Sequence, residues 1–328
     1  MEAVPETKEK WHLVLVPTWN CNLRCKGCAY AGMGYKGPVL TPQDLKRIAE
    51  YPFHKVNIMG GEPLVYPHLC EAFDTFSDRK ITLQTNATLF VGARGKEFLK
   101  LAKRARLVIC SIEGDAKTTD FIRGEGVWRK VITAVKMLRE EGVDVFLRAT
   151  YRGIGQVKYL IRLHARMKVP VYLYPEIGGY VPTREEQLEL FNLLSQQEEV
   201  WLDLPNYWSM TGKPSFCSAG KSRFAIFPDG TVAPCQWMPE YRVGRVGDDW
   251  DFIREGLRTF DRTAKVIPRS CAGCRYAQTC RGGCLVLSWF ATCPFSPDSY
   301  GWWMREANLQ FKWNIREAKM RLSGVVLC

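Results

Sequence analysis

The sequence predicts an α/β protein built on a parallel sheet. Short apolar runs alternate with predicted helices between residues 12 and 174, six times in all. This alternation is typical of parallel strands joined by right-handed helical crossovers. Polar residues follow the ends of successive predicted strands, and active sites of barrel folds lie at that edge of the sheet. With 328 residues, the chain is long enough for one to two domains.

The predicted elements follow one another at regular intervals. Strands are predicted over 12–17, 55–59, 81–84, 107–110, 143–147 and 171–174. Helices are predicted over 66–77, 93–104, 127–141 and 155–168. An earlier helix begins at Thr41 and Pro42, which suit an N-cap and a first helical residue. Another begins at the capping box that Thr183 opens, runs to about Gln197, and is followed by a linker over 203–216 rich in Pro, Gly, Asn and Ser.

Three cysteines follow the first predicted strand. Cys21, Cys25 and Cys28 are separated by three and then two residues. Thiolates are soft ligands that suit zinc, copper(I) or iron–sulfur clusters. A closed zinc site needs four ligands, and no fourth Cys or His lies nearby in the sequence. Three thiolates around a four-iron cluster would leave one iron open to a small molecule.

This Cys-x3-Cys-x2-Cys loop resembles the mark of the radical S-adenosylmethionine (SAM) superfamily, whose fold is a partial (β/α)6 TIM-type barrel. The resemblance implies that the open iron of a [4Fe–4S] cluster binds the amino and carboxylate groups of SAM. One electron from the cluster would then cleave SAM to a 5′-deoxyadenosyl radical, which takes a hydrogen atom from the substrate. An electron donor such as ferredoxin or flavodoxin is an expected partner.

Two further motifs resemble SAM-binding parts of this family. Gly60, Gly61 and Glu62, followed by a proline, resemble its GGEP motif, whose edge accepts hydrogen bonds from the SAM ammonium. The alternative is an ordinary tight turn. Ser111 and Arg123 resemble the pair that holds the ribose and carboxylate of SAM, and an Arg fork suits carboxylates. For Arg123 the alternative is an exposed loop residue.

Three other residues are candidate contacts. Asn86 and Arg148 follow predicted strands, and each is expected to touch SAM or substrate. The sequence departs from the family at Gly27, where most relatives have an aromatic residue that packs on the adenine. Tyr30 is a candidate substitute, and the alternative is that it is a packed loop residue.

A second group of cysteines begins at Cys217. A predicted hairpin with its turn at Pro228, Asp229 and Gly230 would bring Cys217 and Cys235 together. Five more cysteines follow, at positions 271, 274, 280, 284 and 293. The seven positions resemble the SPASM domain, which carries two auxiliary [4Fe–4S] clusters, so three clusters are expected in total. For 271–284 alone, a zinc ribbon is the alternative.

The SPASM resemblance implies an interleaved set of ligands. Cys217, Cys235 and Cys284 would hold the first auxiliary cluster. The second would be held by Cys271, Cys274, Cys280 and Cys293. Because residues 218–234 contain no cysteine, the first cluster is expected to have an open iron or another ligand, such as Asp229, Ser218 or a distant cysteine. Cys70 and Cys110 are expected to be buried free thiols.

Four segments are therefore predicted: a radical SAM barrel over 1–180, a helix and linker over 181–216, a SPASM domain over 217–295 and a C-terminal helix over 296–328. No signal peptide or membrane-length apolar run is visible, so a cytoplasmic protein without a membrane partner is expected. Thirteen cysteines then favour metal ligation over disulfides. The net charge of +12 suits an acidic partner, but nucleic acid is unlikely because the Lys and Arg residues are scattered and no nucleic-acid motif occurs.

The expected function is modification of a peptide or protein side chain, by crosslinking or oxidation, with the auxiliary clusters taking up an electron or binding substrate. About eleven residues precede the first strand, so an N-terminal leader-binding domain is expected to be absent. Gln236 follows Cys235 where formylglycine-forming relatives have an Asp base, which argues against sulfatase maturation. Two alternatives are oxidation or decarboxylation of a small acidic metabolite such as a tetrapyrrole, and a non-catalytic iron–sulfur or zinc scaffold.

Overall fold

The computed structural model describes residues 10–30, 34, 36–176, 180–203, 217–264, 267, 271–281 and 283–284. The predicted C-terminal helix, most of the predicted linker, Cys293 and Cys328 lie outside these residues.

One ten-stranded sheet organises the described residues. Its spatial order is β10-β9-β8-β1-β2-β3-β4-β5-β6-β7. All neighbours from β8 through β1 to β7 are parallel, and β9 and β10 continue the sheet antiparallel beyond β8. The strands are β1 (Trp11–Leu15), β2 (Phe53–Ile58), β3 (Lys80–Thr85), β4 (Leu107–Ser111), β5 (Val145–Thr150), β6 (Val171–Tyr174), β7 (Val200–Leu202), β8 (Arg223–Ile226), β9 (Thr231–Ala233) and β10 (Gly244–Arg245).

Helices connect the parallel strands. They are α1 (Pro42–Ala49), α2 (Leu69–Thr75), α3 (Gly95–Ala102), α4 (Ala116–Arg123), α5 (Val127–Glu140), α6 (Ile154–Met167), α7 (Arg184–Ser195), α8 (Trp250–Ala264) and α9 (Ala277–Cys280). Two 3-10 turns, Pro63–Val65 and Thr88–Phe90, follow β2 and β3. The predicted α/β fold with six strand–helix units in a TIM-like arrangement is confirmed.

Local signals fix several element ends. Thr41 caps α1 in a capping box with Asp44, and Thr183 caps α7 by accepting from the Glu186 N–H. Gly142 follows α5 with a φ of +75°, a conformation that favours glycine just after a helix. Among the described residues, no helix combines the length and apolarity that a membrane crossing requires.

The main core lies between the sheet and its helices. Trp11, Leu13 and Leu15 of β1 belong to it, whereas Val14 faces the other side with Met59 and the hairpin. This division follows from the alternation of side chains along a strand. The same alternation places Arg148 on the face opposite the core residue Leu147. The sequence analysis placed Arg148 after the fifth strand. Because β5 extends to Thr150, Arg148 instead lies inside the strand.

Five helices and strands were missed by sequence reasoning, namely α4, α8, α9, β7 and β10. The first was not assigned to any element, although Asp115 caps it by accepting from the Thr118 N–H. A strand of three residues, like β7, leaves little periodic signal. By contrast, α8 has buried residues at Ile253, Leu257 and Phe260, and this helical spacing could have revealed it.

The expectation that Cys70 is buried was wrong, because its side chain is exposed. The buried residues of α2 are Leu69, Ala72 and Phe73, which share one helix face, and Cys70 lies on the other. The expectation for Cys110 is confirmed, since this residue of β4 is fully buried.

Candidate functional site

One cavity lies at the carboxyl ends of the strands, where the sequence predicted the site. The three cysteines of the loop after β1 line it, together with every residue predicted to contact SAM. These residues are Cys21, Cys25, Cys28, Tyr30, Gly60, Gly61, Glu62, Asn86, Ser111, Arg123 and Arg148. The fold therefore brings together residues that span more than a hundred positions of sequence, although the role of each stays a prediction.

The cysteine loop and the Gly-Gly-Glu-Pro loop are in direct backbone contact. The Gly61 N–H donates to the Thr18 carbonyl at 3.0 Å, and the Glu62 N–H donates to the Asn20 carbonyl at 2.8 Å. A Cβ at position 61 would lie 2.2 Å from the Asn20 carbonyl oxygen. Only glycine permits this approach, so the spacing of the two loops depends on Gly61.

Replacing Gly61 with Ala is expected to force the two loops apart. The backbone must move to relieve this overlap, which should lower the free energy of unfolding by about 3 kcal/mol. The same movement should displace the cysteine loop from its position beside the Gly-Gly-Glu-Pro loop. Thermal unfolding and the iron content of the reconstituted protein would measure both effects. Gly155→Ala is the matched control, because a Cβ there meets no atom within 4 Å. Equal behaviour of the two variants would contradict the prediction.

Glu62 is fully buried and ties its loop to the end of β3. Its Oε1 accepts from the Thr85 hydroxyl at 2.6 Å and the Leu64 N–H at 3.0 Å, and its Oε2 accepts from the Asn86 N–H at 2.7 Å. Burial raises the pKa of Glu62, and these hydrogen bonds offset part of that rise. The Glu62 carboxylate therefore holds its loop against the end of β3, whether or not it also contacts SAM.

Arg123 is paired within the protein. Its Nε and Nη2 donate to Glu113 Oε1 at 3.0 and 2.6 Å, and the Glu113 side chain is 3% exposed. The other oxygen, Oε2, accepts from the Thr150 N–H at 3.3 Å and lies 3.9 Å from Arg152 Nε. Arg152 also pairs with Glu176. The sequence showed Glu113 beside Ser111, but not that it would meet Arg123.

The Arg152–Glu176 pair accounts for the unusual residue at position 27. Gly27 has a φ of +70°, which favours glycine. A Cβ there would lie 3.0 Å from Glu176 Oε1 and 3.1 Å from Arg152 Nη2. Hence the space that a larger side chain would need is filled by an ion pair whose members come from the ends of β5 and β6.

Tyr30 belongs to a row of aromatic rings. Its ring centroid lies 5.1 Å from that of Trp19 and 5.4 Å from that of Trp237, with the latter pair stacked. Burial strongly raises the pKa of its hydroxyl. The packed-residue interpretation accounts for these contacts, and an adenine contact stays a prediction.

Arg148 faces aromatic rings across the cavity. Its guanidinium lies 4.7 Å from the Tyr174 ring centroid and 5.9 Å from that of Trp237. Trp237 was not predicted as a site residue, yet it lines the cavity two positions after Cys235. It reaches the site because β8 pairs with β1, from His12 with Arg223 to Leu15 with Ile226. The hairpin thus extends the barrel sheet and carries its second arm to the cavity.

The three loop cysteines fit a cluster site in their chemistry. All are thiols facing one cavity, and burial raises the pKa of Cys21 to about 11 and that of Cys25 above its usual value. Cluster binding must therefore release protons from them. In the described ranges, no three acidic, Cys or His side chains converge tightly enough for a single metal ion. A four-iron cluster binds each thiolate through a different iron, so it requires wider spacing than one ion.

The second cysteine group is described except for Cys293. Cys217 and Cys235 pack around Ala219 and Phe260, and burial raises the pKa of Cys235 to about 12. Cys274 and Cys284 pack against the main core. Cys271 and Cys280 lie in the same short segment, with the Cys274 N–H donating to the Cys271 carbonyl at 3.1 Å.

The two oxygen ligands suggested for the first auxiliary cluster differ in their surroundings. Both carboxylate oxygens of Asp229 are bound within the hairpin turn, by the N–H and hydroxyl of Thr231. The Ser218 hydroxyl is buried and has no hydrogen-bond partner among the described residues. Of the two, Ser218 is therefore the better candidate for a ligand.

A known family matches the part of the chain that contains the cysteine loop. Residues 15–155 match the Radical SAM superfamily. The match covers 141 of the 328 residues and identifies this part of the chain as a radical SAM region. Radical SAM enzymes use a [4Fe–4S] cluster and SAM, and the matched range contains all three loop cysteines and the Gly-Gly-Glu-Pro loop. The radical SAM resemblance inferred from sequence is thereby confirmed.

Several curated radical SAM relatives are similar over most of the chain. The mycofactocin maturase MftC of Mycolicibacterium smegmatis is 25% identical over 316 residues, covering 86% of this chain and 80% of the relative. MftC of Mycobacterium tuberculosis is 26% identical over 318 residues with the same coverage. The GTP 3′,8-cyclase of Desulforamulus reducens is 24% identical over 270 residues, covering 68% of this chain and 80% of the relative.

Solved structures share the radical SAM fold. Streptococcus suis SuiB, bound to its precursor peptide SuiA, superposes with a TM-score of 0.67 at 18% identity, covering 84% of this chain and 72% of SuiB. The enzyme anSMEcpe with bound AdoMet gives a TM-score of 0.72 at 18% identity, covering 94% of this chain and all of that one. At this identity the similarity concerns the fold alone.

Proposed function

We propose that this radical SAM enzyme modifies a side chain of a peptide or protein, by oxidation or crosslinking. One observation carries the proposal. The same cavity is lined by the three loop cysteines and by Trp237, which follows the predicted auxiliary ligand Cys235 by two residues. A substrate held between them would lie next to both the site of radical formation and a second redox centre. The similarity to mycofactocin maturases supports a peptide as the substrate.

The residues of the cavity have distinct proposed tasks. Cys21, Cys25 and Cys28 would hold the cluster, which supplies one electron for the cleavage of SAM. The backbone of Gly60 and Gly61 and the side chains of Glu62, Asn86, Ser111 and Arg123 would position SAM beside it. Tyr30 and Arg148 lie on the side of Trp237, where they would contact either SAM or the substrate.

The second group of cysteines would carry two auxiliary clusters, for a total of three. Cys217, Cys235 and Cys284 are proposed for the first, with Ser218 as a further oxygen ligand or with one iron left open. Cys271, Cys274, Cys280 and Cys293 are proposed for the second. These clusters would accept the electron that the substrate radical loses, or would bind the substrate directly.

The proposal is tested with anaerobically reconstituted enzyme, SAM and dithionite. Extract from source cells grown on deuterated medium is divided into a peptide fraction and a small-molecule fraction. The mass of the 5′-deoxyadenosine formed with each fraction reports where the hydrogen atom came from. Deuterium gained with the peptide fraction supports the proposal, and deuterium gained only with small molecules contradicts it.

A small acidic metabolite is the second candidate substrate. Two observations favour it: the similarity to a cyclase whose name gives GTP as its substrate, and the Arg148 guanidinium, for which the described residues provide aromatic faces and no carboxylate. The non-catalytic scaffold is not retained, because the family match identifies an enzyme.

A further inference from the structure

An exposed aromatic ring with two lysines near it lies beside the cysteine loop. Phe121 on α4 is 68% exposed, the highest value for a large apolar side chain among the described residues. Lys26 Nζ lies 3.4 Å from the centroid of its ring. Lys117, one turn earlier on the same face of α4, is also exposed. We refer to Lys26, Lys117 and Phe121 as the Phe121 patch.

The Phe121 patch is attached to the backbone that carries the predicted cluster ligands. The N–H of Lys26, the residue after Cys25, donates to the Ile122 carbonyl at 2.8 Å. Arg24 Nη1 donates to the Cys21 carbonyl at 2.7 Å and to the Leu23 carbonyl at 2.8 Å. A path from Phe121 to the cysteine loop can therefore follow covalent bonds except at one hydrogen bond, from the Lys26 N–H to the Ile122 carbonyl.

The charges of this region favour an acidic partner. The Phe121 patch contains two cations, and the whole chain carries +12. Of the nearby carboxylates, Asp115 accepts from the N-terminal backbone of α4, and Asp120 accepts from two backbone N–H groups at the start of α5. Glu125 is exposed and adds one opposing charge. Cations around an exposed aromatic anchor complement an acidic protein surface.

We propose that the Phe121 patch is the docking site of a small acidic one-electron carrier protein. This inference rests on the proposed function, since it concerns the electron that SAM cleavage consumes. The reduced carrier would supply the single electron that cleaves the carbon–sulfur bond of SAM to methionine and the 5′-deoxyadenosyl radical. That electron would enter through the cluster that Cys21, Cys25 and Cys28 are proposed to hold.

Binding is tested first, with the reconstituted holoenzyme and purified oxidised flavodoxin as the probe. Phe121→Glu and Lys117→Glu are each expected to weaken the affinity about tenfold, which corresponds to about 1.4 kcal/mol. Lys46→Glu is the matched control, because Lys46 is also exposed on a helix, α1, and the charge change is the same as for Lys117. Raising the ionic strength should weaken flavodoxin binding to the wild type and to the control, as for exposed charge pairs.

Electron delivery is tested by measuring 5′-deoxyadenosine formed from SAM without added substrate. With reduced flavodoxin at a subsaturating concentration, Phe121→Glu and Lys117→Glu should react about tenfold more slowly than Lys46→Glu. With dithionite, which needs no docking site, all three should match the wild type. Equal flavodoxin affinities and rates in all three variants would overturn the docking site. If the wild type does not cleave SAM with dithionite, the proposed function fails, and the affinities alone decide the docking site.

Discussion

Replacing Cys25 with Ala is expected to abolish SAM cleavage. The cluster would lose one of three protein ligands, and the remaining pair of thiolates would not hold it at the cavity. SAM cleavage with dithionite should fall to the background, and the reconstituted protein should contain about four fewer iron atoms per chain. Iron analysis separates the proposals for the second cysteine group. About eight iron atoms should remain if two auxiliary clusters are present, and none if the loop holds the only cluster.

Cys70→Ser is the control for the Cys25 variant. Cys70 is an exposed thiol on the outer face of α2, so its loss should change neither the iron content nor the rate. If the Cys25→Ala protein keeps all of its iron and cleaves SAM as fast as the control, the cysteine loop does not hold the cluster.

Replacing Glu113 with Ala is expected to cause the largest loss of stability. The variant leaves the Arg123 guanidinium, whose side chain is 15% exposed, without its carboxylate. Removing one partner of a buried ion pair costs about 3–5 kcal/mol, because the remaining charge stays desolvated. Thermal unfolding of the reconstituted protein, followed by circular dichroism, should therefore begin at a clearly lower temperature than in the wild type.

A double substitution distinguishes an unpaired charge from lost packing. In Glu113→Ala combined with Arg123→Met, no buried guanidinium remains, so part of the lost stability should return. If the double variant is as unstable as the sum of the single ones, the two side chains are not coupled and the explanation fails. Asp74→Ala is the comparison for an exposed pair, since Asp74 meets Arg104 at the surface and its loss should cost under about 1 kcal/mol.

Features encoded by neighbouring residues could be predicted from the sequence. The cysteine spacing, the Gly-Gly-Glu-Pro turn and the strand ends that carry Asn86 and Ser111 are local patterns. A parallel sheet then brings its strand ends to one edge, so their meeting in one cavity follows from the fold. The six strands predicted between residues 12 and 174 correspond to β1 to β6, because each is a local apolar run.

Contacts that depend on register and packing could not be predicted. Glu113 meets Arg123 only because a short helix returns the chain to the end of β4, and that helix was not predicted. The ion pair of Arg152 with Glu176 joins the ends of two strands, and nothing in either segment alone indicates it. Trp237 enters the cavity through the pairing of β8 with β1, which joins two distant parts of the sequence. Hydrophobic periodicity carries no information on such pairings.

The pairing of β1 with β8 has a consequence for how the protein forms during synthesis. His12 leaves the ribosome long before its neighbour Arg223. At 5–20 residues per second, β1 waits roughly 10 to 40 s for β8. Until then one edge of an apolar central strand has no partner in the growing chain, and such edges promote aggregation. Nascent chains that stop before β8 should therefore depend on chaperones more strongly than chains that include the hairpin.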